Sequence, residues 1–307
     1  MKARVVFLLL CCIWGSTWMF IKLGLRDLPP VSFAAARFLL ATLILSTVVA
    51  ARRAALPKSR GEWALLAQTG VLAFTLNYGL LFWGEQHISS GLAALLQATI
   101  PVFGMVIAHA YLPGERLNAL KLSGALLGVA GVAVIFSNQL ASEGRLALWG
   151  SAAVVFGAVC VAWANVLVKA KGAHLDPSVL AAGQMACGLV PLATAGLIWE
   201  GNPLKLNWTP RAVVCLLYLT LVGSVAAFLL FYWLVRRVDV TKTMLIALVT
   251  PLAAVLLGVV ALGERPEWRT LAGGALIISG IALVVLRRAG KGKARDVKAE
   301  RADAAAG

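Results

Sequence analysis

The chain has 307 residues, of which 61% are hydrophobic and only 13% are charged, and its mean hydropathy is +0.87. An ordinary soluble domain is close to half apolar and about a quarter charged, so this composition excludes that class and indicates a polytopic membrane protein. The formal net charge of +15 is concentrated in loops and tails, which makes it a signal of membrane topology rather than of nucleic-acid binding.

Ten stretches are long enough to cross roughly 30 Å of hydrocarbon, which takes about 20 residues at about 1.5 Å each. We interpret all of them as helices, because a bilayer leaves open strand edges unsatisfied and the stretches lack the alternation of barrel strands. The sequence therefore predicts an all-α membrane protein with ten transmembrane helices. The predicted spans are approximately residues 5–25, 31–51, 63–84, 88–111, 118–137, 147–169, 178–199, 211–235, 240–261 and 268–287.

The basic residues predict the orientation of these spans. With the amino terminus in the cytoplasm, twenty Lys and Arg residues fall on the inner side, seven fall on the outer side, and Arg37 lies inside the second span. This bias places both termini in the cytoplasm. We expect a multi-pass protein of a bacterial inner (plasma) membrane, with residues 289–307 forming a disordered basic cytoplasmic tail.

The second half of the chain repeats the first. Each half contains a Gly-Glu-Arg motif, at 114–116 and at 263–265, with glycines nine and sixteen residues after its glutamate. Each half also holds five spans, an odd number, so the two copies must insert in opposite orientations. We predict two inverted five-helix repeats, residues 1–140 and 141–288, an organisation typical of secondary transporters. The other matching positions are Pro101 with Pro251, Lys22 with Lys169, Pro30 with Pro177, and Arg37 with Gln184.

Three stretches resemble the EamA-type transporters of the drug/metabolite transporter superfamily. They are Trp14-Gly15-Ser16, Ala36-Arg37-Phe38, and the run from Ser90 to Leu96 that continues through Pro101 to Gly114-Glu115-Arg116-Leu117. The resemblance extends from about residue 5 to residue 287. It implies ten helices in two inverted repeats, both termini inside, and movement of small metabolites, often export of amino acids and related compounds. The resemblance implies the transport mechanism more firmly than the identity of the transported solute.

Ionisable groups inside the membrane are the first candidates for a coupling site. All thirteen acids fall in loops, at helix ends or in the tail, which argues against a proton exchanger of cationic drugs and predicts that no buried acid couples transport. Arg37 lies about 10 Å along the second helix. It either reaches back to the surface or pairs with an outer acid such as Glu85, or it anchors the carboxylate of an amino-acid-like solute.

The other candidates are polar or aromatic residues on the first, third, fourth, sixth, eighth and ninth helices. A tryptophan column on the first helix either packs or lines a cavity, and Gln97 must face protein or water because lipid would leave its amide unsatisfied. Pro101 and Pro251 each remove a helix hydrogen bond, so we predict helix breaks or gates there. The predicted substrate-binding residues are Trp14, Thr17, Trp18, Arg37, Asn77, Tyr78, Gln97, Trp163, Asn165, Tyr232 and Thr243.

The leading hypothesis is a secondary transporter that exports small polar metabolites, such as amino acids, by alternating access. The alternatives are a carrier of drugs or lipid-linked sugars and, less favoured, a membrane-embedded enzyme, for which the sequence offers no H-E-x-x-H or G-x-S-x-G motif. We expect a small-molecule substrate and the bilayer as partners, with no nucleic acid, cofactor or metal. The glycines of the fifth and tenth helices predict scaffold or dimer surfaces, so monomer and homodimer both stay open.

Overall fold

The computed structural model describes residues 2–113, 118–142, 144–235, 237 and 246–283. Within these ranges the regular elements are helices, together with the short 3-10 turn Pro203–Lys205. The membrane helices in chain order are α1 (Lys2–Gly24), α2 (Pro30–Ala51), α3 (Arg60–His87), α4 (Ser90–Tyr111), α5 (Ala119–Ser142), α6 (Gly144–Lys171), α7 (Pro177–Trp199), α8 (210–235), α9 (Ile246–Leu262) and α10 (Trp268–Leu283).

The all-α prediction is confirmed. Helices α1 to α8 are long and apolar enough to cross a membrane, whereas α9 and α10 provide shorter apolar helices, over Val249–Leu262 and Trp268–Leu283. Helix α3 begins before its apolar run because Ser59 caps it. The Ser59 side chain accepts a hydrogen bond from the Glu62 amide, and the Glu62 carboxylate accepts one from the Ser59 amide. Hydropathy thus located the helix, and the capping box set its start.

Exposed tryptophans lie near the ends of several helices. Trp63 is in the first turn of α3, Trp149 near the start of α6, Trp199 at the end of α7, and Trp268 at the start of α10. Tryptophan is enriched where a membrane meets water, because its ring is apolar and its N–H is polar. Together with the apolar spans, this arrangement identifies a multi-pass membrane protein.

Each helix packs mainly against distant parts of the chain. Helix α2 lies along α7, α1 contacts α9 and α8, and α6 contacts α4 and α3. The first half of α4 also packs on α9. One continuous group of buried apolar side chains joins α1 to α8 and α10, and a smaller group lies between α1, α8 and α9. The two halves of the sequence therefore share one interior.

Helices α5 and α10 meet through glycines. A Cβ added to Gly131 would collide with the carbonyl oxygen of Gly273, and one added to Gly280 would collide with that of Gly124. Gly128 faces Val102 of α4 in the same close manner. These glycines therefore pack helices of one chain against each other, as the scaffold interpretation of the sequence expected.

An ion pair and a histidine–carboxylate hydrogen bond tie loops to helix starts at opposite ends of the molecule. We call the end where α1 begins the proximal end and the opposite end the distal end. At the distal end Arg211 donates to both carboxylate oxygens of Asp27, at 2.6 and 2.7 Å, and these bonds and one from Thr209 hold the Asp27 pKa below its ordinary value. At the proximal end His174 Nε2 lies 2.7 Å from Glu62 Oε1.

Helices α3 and α8 each contain a π-helical segment, Val71–Leu76 in α3 and Tyr218–Ala226 in α8. A π turn holds an extra residue, so it shifts the face on which all later side chains lie, and such turns are frequent at functional sites. Helix α2 contacts the π segment of α8 and the part of α3 that follows its own π segment. The side chains of α2 that face these two regions are therefore candidates for a functional site.

Candidate functional site

Arg37 of α2 is buried between the two widened helices, with 3% of its surface exposed. Its Nε donates a hydrogen bond to Ser224 Oγ of α8 at 3.2 Å. Its Cζ lies 5.3 Å from the ring centroids of both Phe38 and Tyr78, within the range of cation–π attraction. The side chain therefore does not reach back to the surface. We call Arg37, Phe38, Tyr78 and Ser224 the Arg37 cluster.

Within the described residues, the guanidinium of Arg37 retains donors without a partner. Of its five N–H groups, the one on Nε has a hydrogen-bond partner among the residues that the structure describes. Glu85, the acid considered for Arg37 from the sequence, makes no ion pair with it within 4 Å in the described part of the chain. The two Nη groups form the fork that binds a carboxylate through two parallel hydrogen bonds.

The π segment of α8 explains how Ser224 reaches Arg37. The Ser224 hydroxyl donates to the carbonyl of Leu219, five residues earlier, at 3.0 Å. Its proton is thereby engaged, so its oxygen is free to accept from Arg37. Ser224 was not among the residues predicted from the sequence, because neither a glycine nor a proline pattern marks a π turn.

An aromatic wall runs along α3 on both sides of Tyr78, the residue of α3 that belongs to the Arg37 cluster. Phe74, Tyr78 and Phe82 follow one another on one face of α3, with centroids 5.9 and 6.4 Å apart. Phe38 of α2 stands edge-on to Tyr78 at 4.7 Å, and Phe33 stands edge-on to Phe82 at 5.4 Å. Of the predicted residues, Arg37 and Tyr78 are thus brought together.

Gln97 and Asn77, both predicted to bind substrate, contact each other. They are 7% and 4% exposed, and Gln97 Nε2 donates to Asn77 Oδ1 at 2.9 Å and to the carbonyl of Val154 at 3.3 Å. This polar clasp joins α4, α3 and α6 inside the protein. In this conformation both amides therefore stabilise helix packing.

Loss of the clasp should destabilise the protein. We expect Gln97→Ala to lower the free energy of unfolding by about 1–3 kcal/mol, because the Asn77 oxygen is left buried without a donor. Thermal unfolding of the purified protein in detergent measures the change. Gln86→Ala, which removes the same side chain from an exposed position of α3, is the matched control. Equal shifts for the two variants would contradict the role of the clasp.

The two predicted proline sites differ in the structure. Helix α4 is α-helical over Ser90–Gln97 and again over Ile100–Tyr111, with a break at Ala98 and Thr99 just before Pro101. Proline has no N–H to continue the hydrogen-bond ladder, which accounts for the break. Pro251 lies inside the continuous helix Ile246–Leu262. The predicted break is therefore found in α4 and not in α9.

Residues of α1 face α8. The Trp14 ring lies 5.4 Å from that of Phe231, and Thr17 packs against Gly223 in the π segment. Closer to the distal end, Tyr218 stacks on Phe20 with centroids 3.8 Å apart and bonds Ser16 through its hydroxyl at 2.6 Å. Tyr218 was missed in the sequence, because it is one more aromatic residue in an apolar run.

The remaining predicted residues lie elsewhere. The Trp18 ring is partly buried. Its indole Nε1 is fully buried and has no hydrogen-bond partner among the described residues. Trp163 and Asn165 of α6 have exposed side chains, and Trp163 packs against Tyr111 of α4. The Tyr232 side chain, Thr243, the first Gly-Glu-Arg motif at 114–116 and the tail 289–307 lie outside the described residues.

Comparison with known proteins places the chain among membrane carriers. A model described as the EamA-like transporter family matches residues 1–137 and again residues 148–286. The uncharacterized transporter YoaV of Bacillus subtilis is 28% identical over 269 residues, covering 88% of this chain and 91% of that protein. The uncharacterized inner membrane transporter YedA of Escherichia coli strain K12 is 30% identical over 280 residues, covering 89% and 87%.

Similarity extends to archaea and to a solved structure. An uncharacterized transporter of Archaeoglobus fulgidus is 30% identical over 295 residues, which are 94% of this chain and 98% of that one. A protein crystal structure superposes with a TM-score of 0.65 at 22% identity, covering 94% of this chain and 98% of the other. This last similarity concerns the fold alone. The relatives are named as transporters, which confirms the prediction of a transporter rather than an enzyme.

Proposed function

The chain belongs to the EamA-like transporter family, and from this premise we propose that it exports small zwitterionic metabolites, with amino acids as the favoured class. The observation that supports this solute class is Arg37, a buried guanidinium beside aromatic rings whose two Nη groups have no hydrogen-bond partner in the described part of the chain. An unpaired buried cation is costly unless a partner compensates it. A solute carboxylate is the partner that a guanidinium fork fits best.

The surroundings of Arg37 suit the rest of an amino acid. The faces of Tyr78 and Phe38 and the rings between α1 and α8 are apolar, and they favour aliphatic or aromatic side chains. An ammonium group is attracted to the same faces by cation–π interaction. The proposed solute thus carries a carboxylate, an ammonium and an apolar group, as neutral amino acids do.

We further propose that residues 1–140 and 141–288 are inverted repeats that rock against each other. Several contacts support this relation because they occur in matched pairs. The Gly131–Gly273 contact matches Gly124–Gly280 under the repeat spacing. The π segments occupy comparable places in α3 and α8, and the family model matches each half separately. Rocking of such halves exposes a central site to alternate sides.

The bias of basic residues supports an orientation with both termini in the cytoplasm of a bacterial cell. The proximal end then faces the cytoplasm and the distal end faces outward. Export begins with the Arg37 cluster open toward the proximal end. Cysteine labelling of intact cells at position 2 and at the exposed position 145 tests this orientation, and labelling of both from the same side would contradict it.

Counterflow in proteoliposomes tests the solute class. Vesicles loaded with one unlabelled compound at a time are given the labelled form of the same compound, from a panel of amino acids, nucleosides, sugars and cationic drugs. We expect transient uptake of neutral amino acids, and we expect their methyl esters to compete poorly because they lack the carboxylate. Exchange of sugars, drugs or lipid-linked sugars without exchange of any amino acid would contradict the proposal.

A further inference from the structure

Glu85 is a completely buried acid near the distal end of α3, with 0% of its surface exposed. Neither of its carboxyl oxygens has a hydrogen-bond partner among the residues that the structure describes. A charged carboxylate in this position would lose its water without any compensating bond. From the sequence, Glu85 was one of several acids at helix ends, and only its burial distinguishes it.

The nearest cation does not neutralise Glu85 directly. Lys22 of α1 donates to the backbone carbonyl oxygens of Glu85 and Ile88, at 2.5 and 2.7 Å. Its ammonium therefore holds the end of α3 while the Glu85 carboxyl itself stays unbonded. Lys22 nevertheless interacts electrostatically with the Glu85 carboxyl.

The other elements around Glu85 add one cation and one acid. Arg37 of α2 interacts electrostatically with Glu85 from a distance. Its Nε donates a hydrogen bond to Ser224 instead. Glu264, between α9 and α10, also acts on Glu85, and its carboxylate accepts from the amides of Ser90 and Gly91. Helix α6 contributes only uncharged contacts, Gly150 and Val154, beside Gly84. The cluster thus combines an enclosed carboxyl with a neighbouring cation bonded elsewhere.

We infer that Glu85 is a proton-binding site that couples transport to a proton gradient. This inference rests on the proposed transport function and replaces the expectation that no buried acid takes part. In the described conformation the carboxyl is neutral and holds one proton. When the distal contacts open, the solute leaves and the carboxyl takes up its proton from outside. When the proximal side opens and the next solute binds, Lys22 leaves the backbone carbonyls and pairs with the carboxylate, and the proton departs to the cytoplasm. One proton crosses for each solute, in the opposite direction.

The protonation state can be measured without any solute. Infrared spectra of the purified protein in lipid at neutral pH should contain the C=O band of a protonated carboxyl, and that band should shift in D2O. We expect the band to disappear in Glu85→Gln and to persist in Glu267→Gln, which alters an exposed acid at the same end. A wild-type spectrum without the band, or a band that survives in Glu85→Gln, would overturn the assignment.

Coupling is measured in proteoliposomes with the labelled amino acid that gives counterflow. With the membrane potential held at zero, a gradient of one pH unit with the vesicle interior acidic should drive up to about tenfold accumulation in the wild type, because one proton leaving per solute entering equates a tenfold ratio with one unit. Glu85→Gln should keep counterflow and lose this accumulation, whereas Glu267→Gln should keep both. If the glutamine variant does not fold, Glu85→Asp, which retains a titratable group, should keep gradient-driven accumulation.

The two proposals fail in different ways. Two results would overturn the coupling role and leave the solute class standing. One is that Glu85→Gln accumulates solute as well as the wild type does. The other is that Glu85→Asp loses accumulation while its counterflow is intact. Absence of amino-acid counterflow in the wild type would instead overturn the solute class. In that case the infrared band still decides whether Glu85 holds a proton.

Discussion

Replacing Arg37 with lysine should raise the half-saturating concentration of a transported amino acid by about 10- to 100-fold, because each hydrogen bond to a charged group contributes about 1.5–3 kcal/mol. Lysine keeps the positive charge but lacks the planar fork, so it cannot bind both carboxylate oxygens in parallel. Arg37→Gln should lower transport further, since the charge is also lost. Initial rates of counterflow at increasing solute concentration measure both effects.

The control for Arg37 is its matching position in the second half. Gln184 occupies the same repeat position on α7, so Gln184→Ala should leave the half-saturating concentration nearly unchanged. All variants should elute as folded protein from a sizing column, since a substitution that unfolds the chain gives no information on binding. Equal affinities of wild type and Arg37→Lys for the amino acid would refute the carboxylate anchor.

Introducing a leucine at Gly131 should prevent α5 and α10 from packing, with the largest loss of stability that we expect. A Cβ there would already collide with the Gly273 carbonyl, which is backbone and cannot move aside as a flexible side chain does. Overpacking costs about 1–3 kcal/mol even where side chains yield, so separation of two backbones should cost more. The yield of monodisperse protein and its unfolding temperature in detergent report the effect.

Gly104 provides the comparison for this substitution. It lies on α4, and a Cβ added there has no atom within 4 Å. Gly104→Leu should therefore fold with a yield near that of the wild type, although the added bulk is the same. A similar loss in both variants would show that leucine in a membrane helix, rather than the α5–α10 contact, causes the defect.

The sequence predicted the helices well because the membrane imposes a simple requirement of length and apolarity. Helix ends were less predictable, since caps such as Ser59 with Glu62 extend a helix beyond its apolar run. Parts of the ninth and tenth predicted spans, residues 240–245 and 284–287, lie outside the described residues.

The candidate site was predictable only where a polar residue stood out in an apolar span. Arg37 and Tyr78 were identified in this way, and the structure places them together. Ser224 was missed because its approach to Arg37 depends on a π turn. The burial of Glu85 depends on α1 and on the segment after α9, which are distant in sequence. Such proximity is a property of packing and has no local signal.

The π segments of α3 and α8, which we call joints, would redirect the neighbouring side chains if their position along the helix changed. Successive residues of a helix are about 100° apart around its axis, since a turn holds 3.6 residues. Displacing the joint of α3 past Tyr78 would swing that ring about 100° away from Arg37. Each backbone amide would exchange one carbonyl for the next, so none would be left bare in hydrocarbon. The rings of the aromatic wall would thereby separate from Arg37 while α3 stays helical.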